Sequence, residues 1–260
     1  FARGGPQTDI AFTNYETESW AAFAQFTLKI TEQLELTVGL RWTRDEKSLR
    51  TQYTTTGTSC DQGEAAYATL VRLAGTATAN SIVGGLCLNA QNNDFDALGV
   101  FTQKRTEDEF SGTAKIAYRW NPDVMTYASY SRGYKAGGFN LDREGVTLVT
   151  ATGPDFTADR DTAFRGEFVD SYELGAKTSW FDRTLMLNAA VFYQEYTDFQ
   201  LNTFIGTAFV VETLPEVRST GVDVDFIYLP PIDGLTFQGG VTYAETEIQP
   251  FTAADLLNPG

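Results

Sequence analysis

Strict alternation of apolar and polar residues recurs along this chain, and it restricts the fold more than any other feature. From Leu34 the even positions read Leu34, Leu36, Val38, Leu40 and Trp42, against Glu35, Thr37, Gly39, Arg41 and Thr43. The same split runs through Phe110–Trp120, Tyr172–Trp180, Leu185–Tyr193, Val222–Tyr228 and Leu235–Tyr243, with weaker members at Trp20–Leu28 and Val124–Tyr134. Successive strand side chains point to opposite faces, so period two predicts eight strands, each with one apolar and one polar wall. The longest uninterrupted apolar run is five residues, Trp20–Ala24 and again Ala189–Tyr193. A membrane-spanning helix needs about 20, so none is encoded.

An antiparallel sheet in water would alternate in the same way. Three details favour a lipid-facing one. The polar walls carry small uncharged residues (Thr, Gly, Gln, Ser) among their charges, which suits a crowded or watery lumen. Large aromatics (Trp42, Tyr118, Trp120, Trp180, Tyr228) gather toward strand ends on the apolar face, as amphipathic rings do at a membrane–water interface. Connections alternate strictly between short (Lys29–Gln33, Asn121–Asp123, Phe181–Arg183, Pro230–Gly234) and long (roughly 47–105, 135–165 and 200–217), so one rim has tight turns and the other large loops. The expected fold is therefore all-β: a transmembrane antiparallel β-barrel segment. Pro122 and Pro230–Pro231 sit in turns, and the strand interiors are expected to be free of proline, which would delete a ladder donor.

The chain carries 34 acidic against 19 basic residues, a net charge of −15, and no histidine. A phosphate-tracking surface needs clustered positive charge, so no nucleic-acid partner is expected. The lack of histidine removes His-based triads and nearly every imidazole metal site. No dinucleotide, phosphate-loop or nucleophile-elbow pattern occurs, and no cofactor or metal is implied. Asp223 and Asp225 share a face at i, i+2 but are expected to decorate the wall, so no catalytic residue is assigned. Asn92–Asp96 and Asp159–Asp161 offer oxygen ligands without the spacing of a dedicated calcium loop, and solvated turns are expected. The sequence starts without Met or a signal-peptide pattern and stops in a loop-like stretch, so residues 1–260 are expected to be a piece of a longer chain.

The stretch Tyr127-Ala-Ser-Tyr-Ser-Arg-Gly-Tyr-Lys-Ala-Gly-Gly-Phe-Asn140 resembles a strand and loop edge of the TonB-dependent receptors of Gram-negative outer membranes. Glu18–Phe26 followed by Leu34–Lys47, Ser171-Tyr-Glu-Leu-Gly-Ala-Lys177, and Tyr196-Thr-Asp-Phe-Gln200 followed by Ser219–Asp223 are similar to further stretches of that family, in the same order. The resemblance implies about a third of a 22-stranded barrel, with the plug domain and C-terminal strands outside this chain. It implies an outer-membrane receptor importing a scarce small-molecule ligand, such as a ferric siderophore, energised by TonB through the absent N-terminal region. Outer-membrane lipid, ligand and TonB are then the partners. A passive porin, or an adhesin or enzyme built on a barrel, remains the alternative.

The connections 47–105 and 135–165 are expected to be extracellular ligand-capturing loops, with Arg132, Tyr134, Phe139 and Asn140 as ligand-binding candidates near the root of the second. Gly133, Gly137 and Gly138 are expected to serve backbone geometry. Arg41 and Arg119 are expected to point into the lumen and pair with carboxylates such as Glu35 or Asp223. Cys60 and Cys87, the only cysteines, fall in one exposed loop and are expected to form a disulfide.

Overall fold

The computed structural model describes residues 8–87, 99–142, 147–149, 157–159, 161–204 and 209–250. In chain order the elements are β1 (Thr8–Lys29), β2 (Leu34–Thr56), α1 (Ser59–Ala74), α2 (Thr76–Leu86), β3 (Phe101–Asn121), β4 (Val124–Lys135), β5 (Gly138–Phe139), β6 (Thr147–Val149), β7 (Thr157–Asp159), β8 (Ala163–Phe164), β9 (Glu167–Trp180), β10 (Leu185–Phe204), β11 (Phe209–Tyr228) and β12 (Phe237–Ile248). The eight long strands form one antiparallel sheet in the order β1-β2-β3-β4-β9-β10-β11-β12. Two small ribbons, β5 with β8 and β6 with β7, lie within the connection from β4 to β9. Among the described residues no helix is long and apolar enough to cross a membrane.

Register carries the alternation across the sheet, with a one-residue shift between Arg119 and Asn121 beside the β3–β4 turn. Leu36 pairs with Leu28 and Ile116, Ala128 with Ile116 and Leu174, and Val191 with Leu174 and Val222. These residues share the outer face; Leu174 is 59% and Leu40 57% exposed. Apolar side chains left so open on a fully hydrogen-bonded sheet belong against lipid, which supplies no partners for an unmade backbone bond. Aromatics bound this band at both ends. Tyr118 and Trp120 meet edge-to-face with centroids 4.7 Å apart, and Tyr228 stacks on Phe237, beside the short turns. Toward the other rim, Tyr130, Tyr172 and Tyr193 form a row across β4, β9 and β10 with centroid spacings of 5.2 and 6.3 Å. Tyr172 and Trp180 stand about eight residues apart, roughly 27 Å of strand.

Immediately above that row, Arg132, Asp170, Glu195, Arg218 and Glu247 are successive register partners across five strands. Arg132 lies 2.8 Å from Asp170 and Arg218 3.6 Å from Glu195. On β2 and β3 the matching change falls between Trp42 and Arg44, whose guanidinium lies 3.2 Å from Asp108. Charges replacing apolar residues on the outer face mark where the wall leaves the hydrocarbon.

The strands do not stop there, which corrects two expected boundaries. β2 continues to Thr56 and β3 starts at Phe101, so the connection expected at 47–105 spans only 57–100. The connection expected at 200–217 is instead strand: β10 runs to Phe204 and β11 starts at Phe209. Pro215 therefore lies inside β11, contrary to the expectation of proline-free strand interiors. Residue-by-residue pairing with β12 ends at Val217, so Pro215 lies beyond the β12 ladder, and Asp198 opposite takes φ 51 while the register holds on both sides. All four short turns fall where expected, and Phe181, Asp182 and Arg183 adopt φ of 53, 54 and 65. Left-handed residues match the twist of a tight hairpin.

Between β2 and β3, where the sequence predicts a loop, the chain forms two helices. Asp61 lies in the first turn of α1 and Arg72 in its last, complementing the helix dipole. Gly75, at φ 81, turns the chain into α2. The expected Cys60–Cys87 disulfide ties the start of α1 to the end of α2 across 27 residues, and Tyr67 donates to Asn80 at 2.7 Å between the helices. The possible calcium-type stretch Asn92–Asp96 lies outside the described residues.

Two outcomes follow. Val224→Arg, level with Ala189 and Ala176 at the middle of the lipid band, should destabilise the full-length folded protein by about 2–4 kcal/mol, measured by urea unfolding from lipid vesicles, whereas Lys177→Gln on the inner face should change it by under about 0.5 kcal/mol. Replacing Cys60 and Cys87 by Ser should remove about 3.5 kcal/mol of loop-closure stabilisation; limited proteolysis should then cut within 57–100 while the strand fragments stay intact.

Candidate functional site

The inner face of the sheet changes character with height. Within the lipid band it is polar: Tyr127 donates to Glu173 at 2.6 Å with the Lys115 ammonium 4.4 Å above its ring, Asn188 donates to Asp225 at 2.8 Å, and Thr242 donates to Asp223. Arg41 donates to Thr43 at 3.0 Å, so its hydrogen bond goes to a hydroxyl and not to the expected carboxylate. The Tyr127 ring lies over Gly175, where any Cβ would fall 2.5 Å from the ring. Above the band the inner face becomes closed, with apolar and polar side chains buried together. Leu49 and Tyr53 are each 1% exposed, and Phe101, Thr51 and Val217 are buried.

What covers it is the segment 136–142 with its ribbon partner 162–166. Gly138–Phe139 pairs with Ala163–Phe164, and the Asn140 amide donates to the Thr162 carbonyl at 2.8 Å. Every strand position that grips this strap belongs to the inner face. From β1, Tyr15 meets Phe139 edge-to-face at 6.2 Å. From β2, Lys47 donates to the Gly137 carbonyl and Tyr53 donates to the Leu141 carbonyl at 3.1 Å. From β3, Gln103 exchanges two bonds with Thr162, at 3.0 and 3.1 Å. From β10, Gln200 donates to the carbonyls of Ala136 and Arg165 at 3.1 and 2.9 Å. From β11, Val211 donates its amide to Asn140 Oδ1 at 2.7 Å and accepts from Asn140 Nδ2 at 3.1 Å. β1 and β11 are first and seventh in the sheet, about 29 Å apart if it were flat. Adjacent residues Phe139 and Asn140 can touch both only on the concave side of a strongly curved wall.

Glu107 is the hub of the strap's root. Its carboxylate, 10% exposed, accepts from Arg105 at 2.6 Å, from the Tyr134 hydroxyl at 2.9 Å and from the Gly137 amide at 2.9 Å. Burial alone would raise its pKa, but the bonds from Arg105, Tyr134 and Gly137 outweigh it and the net shift is downward. Burial and the same carboxylate push the Tyr134 phenol upward. Gly137 is required by close approach, since a Cβ there would run into the backbone carbonyl oxygen of Phe164.

The four ligand-binding candidates are thus close in the fold but differently engaged. Arg132 is on the outer face, paired with Asp170 and 4.8 Å from the Phe168 ring. Tyr134 is bonded to Glu107, Phe139 is buried in the strap, and Asn140 is bonded to Val211. Asp161 accepts from the Ala163 amide at 3.0 Å, as a turn residue does. Glu107, Gln103 and Gln200 were missed by sequence reading; they stand on inner-face positions beyond the apolar band, where alternation had ceased to be informative. Beside the strap lies a recess of about 580 Å³ lined by Asp9, Ala11, Phe139, Asn140, Leu141, Asp142, Phe209 and Val211.

A group whose folded pKa is depressed stabilises the fold above its ordinary value and loses that contribution as pH falls through the folded one. Protection of the Gly137 amide against hydrogen exchange, corrected for the intrinsic rate, should therefore persist at pH 7 and fall once pH drops below the ordinary glutamate value of 4.5. Glu107→Gln should leave that protection low at both pH values.

Comparison with known proteins matches this architecture. The chain aligns with the ferric yersiniabactin uptake receptor FyuA from Yersinia pestis at a TM-score of 0.60 and 19% identity, covering 94% of this chain and 28% of that one. It aligns with the siderophore receptor PiuA from Acinetobacter baumannii at 0.54 and 18% identity, covering 91% and 26%, and with the ferric-catecholate import receptor Fiu from Escherichia coli K12 at 0.54 and 14%, covering 92% and 29%. The chain thus spans under a third of the length of these receptors, and at such identities the likeness shows the fold. The family model for the TonB dependent receptor-like β-barrel matches residues 2–259. The chain belongs to the TonB-dependent receptor β-barrel family, proteins of the Gram-negative outer membrane.

Proposed function

We propose that this chain is part of the wall and mouth of an active-transport receptor that imports a scarce ligand, such as a ferric siderophore, across the outer membrane with energy relayed by TonB. The family match over residues 2–259 carries the reading. FyuA, PiuA and Fiu are named as siderophore or iron-chelate receptors, which supports an iron chelate as the ligand class here. In this reading residues 1–260 lie within the barrel domain, and the plug and the energy-coupling segment belong to other parts of the protein. The rim with long connections, bearing α1, α2 and the strap, faces the cell exterior; the rim of short turns faces the periplasm. Asp223 and Asp225, each accepting from a neighbouring wall residue, then serve the lumen lining and not acid–base chemistry.

Full-length receptor expressed in a Gram-negative host lacking its own iron receptors tests this. Radiolabelled iron supplied as a ferric trihydroxamate and as a ferric tris-catecholate should accumulate from at least one chelate, and accumulation should vanish in a host without TonB. Entry that is independent of TonB and limited only by solute size would make the protein a passive pore and overturn the reading.

A further inference from the structure

We propose that residues 136–142 and 162–166 form a fixed strap inside the barrel mouth, a permanent brace between the β1–β3 and β10–β11 parts of the wall, and not a loop that swings open to capture ligand. Mobile loops expose their backbone groups and make few buried contacts. This segment does neither. Among its backbone groups, the amides of Gly137, Asn140 and Thr162 and the carbonyls of Ala136, Gly137, Leu141, Thr162 and Arg165 are all bonded, most of them to side chains of the strands.

The grip is also distributed. Side chains or amides from β1, β2, β3, β10 and β11 hold two short pieces of chain, and Gly137, Gly138 and Phe139 are buried. Two of the contacts are two-bond grips: the Gln103 side chain donates to the Thr162 hydroxyl and accepts from its backbone amide, and the Asn140 side chain accepts from the Val211 amide and donates to its carbonyl. The second substitutes for a rung of backbone ladder where no strand can run. Opening the strap would leave Glu107 and Lys47 without these partners and uncover Leu49, Tyr53 and Phe101 together.

The roles of Tyr134, Phe139 and Asn140 follow: they are positioning residues that fix the strap, and whatever enters the lumen passes beside it. The 580 Å³ recess then has one wall that stays in place. Because the brace depends only on inner-face contacts of this chain, it does not rest on the identity of any transported molecule.

Hydrogen exchange of the full-length receptor in lipid nanodiscs, read by mass spectrometry at pH 7 with no ligand present, decides the matter. Peptides containing the Asn140, Thr162, Gln200 and Val211 amides should exchange more than about 100-fold slower than an unstructured chain, in the same class as β2. Asn140→Ala should raise exchange at Thr162 and Val211 more than about tenfold without changing β9, and Gln200→Ala should act likewise on 136–142 if the first variant fails to fold. Exchange of the strap at unprotected rates in the parent protein, or protection unaltered in a folded Asn140→Ala, would overturn the proposal. Neither result touches the importer reading, since no transport substrate enters the measurement.

Discussion

Hydrocarbon offers no hydrogen-bonding partner to a peptide group, and that one constraint organises the wall. A chain with no apolar run longer than five residues can satisfy its backbone there only sideways, strand to strand. Lateral pairing then forces side chains into two sets. One set meets lipid and must be apolar; the other meets the lumen and need not be. The register keeps the sets separate through the lipid band, a one-residue shift between β3 and β4 falling beside their short turn, because the same shift within the band would carry charges such as Glu173 and Lys177 into the lipid.

Above the aromatic row the same ladder continues under different rules. The outer face is now in water and headgroup, so it accepts the Arg132–Asp170 pair and the Arg44, Glu46 and Asp108 group, whose half-exposed ion pairs add little stability but tolerate solvation well. The inner face, no longer lining a wet lumen alone, gains Leu49, Tyr53 and Phe101 and needs something to bury them. The strap supplies that cover. The extra length of β2, β3, β10 and β11 is therefore not idle: it carries the positions that hold the strap, with Glu107 concentrating three bonds on one buried carboxylate.

Much of the wall was legible because period two is a local signal. The eight strands, the four short turns and the aromatic ends can each be argued from residues adjacent or nearly adjacent in sequence, and the disulfide from there being two cysteines in one expected loop. Strand ends on the long-loop side were not legible. There the apolar residues move from even to odd positions of β2, from Trp42 to Leu49 and Tyr53, and an inverted, diluted pattern reads as loop. The helical pair was missed for a related reason, since its Ala-rich stretch carries no period-two pattern and sits where strand logic expects a loop. Sequence points to Tyr134, Phe139 and Asn140 as ligand-binding candidates, but their partners Glu107, Tyr15 and Val211 are far away in sequence.

The sequence by itself determined which faces meet lipid, how many strands make the wall and which end carries the large connections, since all of these follow from side-chain alternation and spacing along one ribbon. Only the tertiary structure decided that the wall curls tightly enough for residues 139 and 140 to touch β1 and β11 together, and that the Gly-Gly-Phe-Asn stretch lies across the mouth. Curvature is a sum over many strand pairs, and the strap's partners Gln103 and Lys47 are 59 and 90 residues away along the chain. No local pattern encodes a contact made at that range; it exists once the sheet has closed enough to bring its two sides within reach of a single segment.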